Sequence, residues 1–91
     1  MIMRSPYALN RLLFDVRHDE QLRRRLMSRF EEVADLYGLE ETAKTAARTL
    51  LDVVGVEQVQ PFAQPLVDAG AHPLQVLMSL HVMSHWKSEE E

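Results

Sequence analysis

An all-α fold, a compact bundle of five or six short helices, is predicted by three features of this sequence. Apolar residues recur at three- and four-residue spacing through most of the chain, and proline and glycine stand at the margins of those runs. No stretch alternates apolar and polar residues long enough to make a strand: the best candidate, Val53-Val54-Gly55-Val56, is too short and is flanked by helical patterns.

The first helix is expected from Pro6 to about Arg17, with Ser5 as its N-cap and the proline at the first helical position, where a missing N–H costs nothing. Leu9, Leu12, Leu13 and Val16 form its apolar stripe, and Arg11, Asp15 and Arg17 fall largely outside it. Asp19 caps a second helix through about Met27, with Leu22 and Leu26 one turn apart. Ser28 and Glu31 have capping-box spacing and open a third helix, Arg29 to Tyr37, which turns Phe30, Val33, Ala34 and Tyr37 inward and stops at a left-handed Gly38.

A fourth helix is expected from Glu40 to about Val54, its apolar face carrying Ala43, Ala46, Ala47, Leu50, Leu51 and Val54, with Glu40 and Glu41 suited to the positive end of its dipole. Pro61 and Pro65 cannot both lie deep inside one helix, so a turn precedes a helix that has one of them in its first turn and Gly70 at its end. Pro73 starts the last helix, Leu74 to about Trp86. Residues 1–86 are read as a single helical domain and 87–91 as an acidic, flexible tail.

Composition narrows the function classes. With 46% apolar and 26% charged residues the chain is an ordinary globular domain, and the absence of cysteine excludes disulfides and thiolate zinc sites. A net charge of −4 gives no global basic field for nucleic acid, and the cluster Arg23, Arg24, Arg25 and Arg29 reads as a solvated helix face. No apolar run approaches the roughly 20 residues of a membrane span. Met1-Ile2-Met3-Arg4 lacks the apolar stretch of a signal peptide, so a cytoplasmic, unprocessed chain is expected.

Catalytic constellations are weak. His81 and His85 share a helix face and could both reach one metal ion, but no glutamate stands between them as His-Glu-x-x-His requires, and His72 lies near the other end of the helix. Ser79 and Ser84 lack the glycine turn that exposes a nucleophile, and Gly38, Gly55 and Gly70 are isolated helix terminators, not a phosphate loop. The acidic pairs Glu31-Glu32 and Glu40-Glu41 sit at surface-like helix starts. No catalytic residue, bound cofactor or metal ligand is assigned to this chain.

The last helix is different. Leu74, Val76, Leu77, Met78, Leu80, Val82, Met83 and Trp86 make it apolar around most of its circumference, so it is either central to the bundle or turns one face to another polypeptide. Methionine and tryptophan suit interface cores, which makes Met78, Met83 and Trp86 candidate partner-contact residues, with Tyr7 and Phe62 bordering them.

Two stretches together support a family resemblance: Tyr7-Ala8-Leu9-Asn10-Arg11-Leu12-Leu13 running on to Tyr37-Gly38-Leu39, and the turn Gly70-Ala71-His72-Pro73-Leu74 leading into an apolar helix. In that order, over about residues 7–80, they resemble the small α subunit of protocatechuate 4,5-dioxygenase-type enzymes, the class III extradiol dioxygenases. The resemblance implies a helical, non-catalytic subunit. It would pack on a large catalytic subunit that holds the non-haem iron, and help close its active site. It further implies that Tyr7, Asn10, Gly70, His72 and Pro73 lie at the partner interface or in a lid. The competing expectation is a free-standing interaction domain that forms homo-oligomers through its last helix.

Overall fold

A computed structural model describes residues 6–86, and all of the regular structure among them is helical. The expected Ser5 cap and the acidic tail lie outside the described residues. Helix α1 spans Pro6–His18, and its stripe Leu9, Leu12, Leu13 and Val16 is fully buried. Asp19 then caps α2, Glu20–Ser28, by accepting the N–H groups of Gln21 and Leu22 at 3.0 and 3.2 Å.

The boundary after α2 differs from the expected capping box. The Ser28 hydroxyl donates backwards to the Arg24 carbonyl at 3.0 Å, and Arg29 precedes α3 (Phe30–Tyr37) with no side-chain cap. Serine in the last turn of a helix has the i−4 carbonyl within reach, and here that local bond wins over the forward one. At the other end of α3, Gly38 has φ of 71°, and the buried Leu39 returns its N–H to Ala34 at 3.1 Å, a Schellman closure.

The single helix expected over 40–54 is two segments, α4 (Glu41–Ala47) and α5 (Thr49–Asp52). Arg48 between them keeps helical dihedrals, but the Leu51 N–H reaches back only three residues to the Arg48 carbonyl, so α5 is a tightened continuation of α4. That tightening rotates the inward face, and Val53, not Val54, is fully buried. Gly55, at φ 83°, donates its N–H to the Ser84 carbonyl at 3.0 Å and ties this turn to the end of the last helix.

A 3-10 turn, Gln60–Phe62, contains Pro61 and leads into α6, Ala63–Asp68, with Pro65 in its first turn. Both prolines thus fall where no i−4 bond is lost. Gly70, at φ 106°, and the buried Ala71 close α6 through N–H bonds to Val67 and Leu66. Helix α7 spans Pro73–His85. Counting α4 with α5, and the 3-10 turn with α6, the described residues hold six helical units, within the expected range.

Helix α7 lies against α1, α6 and α5, and buries Val76, Ser79, Leu80, Met83 and Ser84. Helix α1 meets α2, α3 and α4 on its other flank. The core between them is almost wholly aliphatic, with Phe30 its one buried ring. Arg23 ties the far end: its guanidinium donates to the Val16 and Arg17 carbonyls at the end of α1 and stacks 5.6 Å from the Trp86 ring.

Candidate docking surface

Two helical stripes that the core leaves outside lie beside each other. On α1 the stripe is Tyr7, Arg11, Phe14 and His18; on α7 it is Leu74, Leu77, Met78 and His81. Each follows the spacing that keeps residues on one helix face. Tyr7 is 65% exposed, Leu74 60%, Phe14 45% and Met78 41%, high values for large apolar side chains. Leu36, at the end of α3, borders Tyr7 across a shallow hollow lined also by Arg11, Asp15 and Tyr37. Met27 is the one exposed large apolar side chain among the described residues that is assigned no place on this face.

The polar groups of the face fall into two sets. On the α3 side, Arg11 donates to the Tyr7 hydroxyl at 2.9 Å and pairs with Asp15 at 3.3 Å, while the Tyr37 hydroxyl donates to the same carboxylate. Partial burial, then the bond and charge of Asp15, push the Tyr37 phenol up to about 12. In the α1–α7 seam, Arg17 donates to the Gln75 amide oxygen at 3.1 Å, and it lies over the Phe14 ring and beside the Met78 sulfur. Helix α7 itself contains no lysine, arginine, aspartate or glutamate. Its outward stripe is therefore apolar except for His81.

The structure separates the residues that the sequence grouped as interface or lid. Tyr7 and Met78 are on the exposed face. Met83 is fully buried, on the opposite side of α7, so it is a core residue and not a surface for a partner. Trp86 is half-buried against the core, and its indole N–H has no partner among the described residues. Phe62 packs on the core beside α6.

Asn10, Gly70, His72 and Pro73 form a brace. The Asn10 side chain accepts the His72 backbone N–H at 2.9 Å, and His72 Nδ1 accepts the Leu74 N–H at 3.2 Å, capping α7 at a position where Pro73 has no N–H to offer. This gives His72 a capping role and Gly70 a conformational one.

The histidine pair of α7 is not joined by a third metal-ligating side chain among the described residues. The His81 and His85 ring centroids lie 4.3 Å apart with the rings tilted by 43°, and His85 Nδ1 engages the His81 carbonyl and the Ser84 hydroxyl. Of the arginine cluster, Arg23 folds inward, while Arg24, Arg25 and Arg29 line one open hollow between α2 and α3, where Arg24 pairs with Glu20 and Arg29 with Glu32. No helix among the described residues is long and apolar enough to cross a membrane.

The sequence pattern places Arg17 outside the buried stripe and Leu77 in the apolar last helix, but it does not single out Phe14 or Leu36 as surface residues. The signal for Phe14 was present: it lies seven residues after Tyr7, off the Leu9–Val16 stripe. Comparison with protein-family models, curated proteins and solved structures yields no match to this chain.

Proposed function

We propose that this chain is a non-catalytic helical accessory subunit that docks on a larger polypeptide through the joint face of α1 and α7. The observation that carries the reading is the concentration of Tyr7, Phe14, Leu74, Leu77 and Met78 on the outward stripes of two adjacent helices. Contiguous apolar area of this kind is a mark of an interaction surface, whereas scattered apolar residues are not. The sequence resemblance suggests which partner to try first: the iron-bearing catalytic subunit of an extradiol ring-cleaving dioxygenase. In that assembly this chain supplies surface and closure, and the partner supplies the iron and the chemistry. Self-association through the same face is the competing assignment.

The test is co-expression with a class III extradiol catalytic subunit, followed by mass measurement and a catechol ring-cleavage assay. A stable complex that Leu77→Glu dissolves is the expected result. A chain that joins no such complex but still associates through this face is not a dioxygenase subunit. A chain that stays a clean monomer at high concentration, and neither joins the complex nor binds a hydrophobic dye, has no docking face at all.

A further inference from the structure

Arg17 identifies the chemistry of the docking partner. Its Nη2 donates to the neutral Gln75 amide, its Nη1 approaches the Met78 sulfur at 3.9 Å, and its Nε is buried with no partner. Among the described residues no carboxylate lies within ion-pair distance of Arg17, Arg23 or Arg25, whereas Arg11, Arg24, Arg29, Lys44 and Arg48 each have one; Arg23 is turned onto the Val16 and Arg17 carbonyls and the Trp86 ring, and Arg25 lies on α2, outside this face. Arg17 is thus the arginine of the α1–α7 face that has no carboxylate among the described residues, in a chain whose net charge is −4.

An open face leaves Arg17 its water. Covering Phe14, Leu77 and Met78 takes that water away, and an unpaired guanidinium at a dry boundary is strongly unfavourable. An occupant that binds well therefore brings an anion to this point. A second copy of the chain is poorly suited. Two-fold pairing presents the same face from both copies, and the carboxylate that this face carries on α1, Asp15, is already held by Arg11 and Tyr37, so a second copy has no free anion there to offer Arg17. The described residues offer no sheet edge for strand addition. Two adjacent helical ridges instead match a helix whose anchors recur every three or four residues.

We infer that the occupant of the α1–α7 face is an amphipathic helix of a partner protein, apolar along one stripe, with a carboxylate beside that stripe that pairs with Arg17. The inference rests on the docking reading above and adds to it the partner's charge and shape.

Two synthetic helical peptides test it, both with leucines at three- and four-residue spacing, one flanked by glutamates and the other by lysines. Each is titrated into the full chain by fluorescence anisotropy. The glutamate peptide is expected to bind about tenfold more tightly, the effect of one charge-assisted bond. Arg17→Gln should remove that preference while its circular dichroism spectrum and melting curve stay those of a folded bundle. Arg25→Gln, at an exposed arginine on α2 with no place in the seam, should keep it. Equal binding of the two peptides, or a preference that survives Arg17→Gln, overturns the acidic-helix inference and leaves the docking face standing. Self-association that excludes both peptides and is reversed by Leu77→Glu assigns the face to a second copy and overturns the inference. Preference for phosphatidylserine vesicles over the glutamate peptide assigns it to a membrane surface and also overturns it. Binding of none of these, with no self-association, removes the inference and the docking reading together.

Discussion

Met78 and Met83 lie five residues apart on one helix and separate its two faces in a single experiment. Met83 is fully buried and Met78 is 41% exposed. Truncating a buried methionine to alanine removes its transfer free energy and leaves a cavity, a loss of about 2–5 kcal/mol. Met83 sits in the last turn of α7, where the Trp86 N–H reaches its carbonyl at 3.3 Å and the chain end can relax. The lower part of that range, about 2–3 kcal/mol, is therefore expected for Met83→Ala. In a domain of this size each kcal/mol moves the melting temperature by about 4–8 °C, so Met83→Ala should melt roughly 10–20 °C below the parent. Met78→Ala gives up partial contacts with Arg17 and should stay within about 0.5 kcal/mol, as surface substitutions do. Thermal and urea unfolding followed by circular dichroism measure both. Equal shifts at the two positions, or a Met83→Ala loss below about 0.5 kcal/mol, would refute the division of α7 into a core face and a docking face.

His72→Ala should lower stability by about 1 kcal/mol through loss of the α7 cap, with ring-cleavage kinetics unchanged in any reconstituted complex; altered kinetics at unaltered stability would instead make the turn part of a lid. Spectrophotometric titration should show Tyr37 ionising at about 12, and Asp15→Asn should lower that value; a folded-state value no higher than the ordinary 10 would exclude the Asp15 bond. Because burial, and then Asp15, set the folded value above the unfolded one, stability is independent of this group below about pH 10 and falls as pH rises from there through about 12. The isolated chain should hold neither iron nor zinc stoichiometrically; one tightly bound metal per chain, lost in the His81→Ala/His85→Ala variant, would contradict that.

What was legible in the sequence is what local physics controls. Asp19, Gly38, Gly70 and Pro73 each act where their backbone chemistry requires, and the stripe Leu9, Leu12, Leu13 and Val16 is buried as its spacing demands. The structure departs from the sequence pattern where two local options compete or where tertiary contacts decide. Ser28 had a bond available in either direction. Helix α4 tightens at Arg48, whose guanidinium lies 4.6 Å from the Phe30 ring and pairs with Glu31, contacts that no local pattern reveals. A helix apolar all round gives no periodic signal for its inward side, so only the neighbours of α7 distinguish Met83 from Met78.

The same helix shows why its outward face calls for an explanation beyond the fold. Ser79 is fully buried, with its hydroxyl donated to the Leu13 carbonyl at 2.9 Å, and Ser84 is buried beside His81 and His85, while Leu74, Leu77 and Met78 point outward. A buried hydroxyl is tolerated because it is bonded, and its gain over an apolar residue of similar size is small. Leu74 keeps 60% of its surface in water, Leu77 40% and Met78 41%, so each adds less to the bundle than the fully buried Val76, Leu80 and Met83. Bundle stability alone therefore accounts for Val76, Leu80 and Met83 and leaves the outward trio unexplained. Exchanging Leu74 and Leu77 for glutamine together should leave the melting temperature within a few degrees of the parent, because neither side chain is in the core. The same variant should lose its partner, and that pairing of an intact fold with lost binding is what separates a docking surface from a poorly covered core.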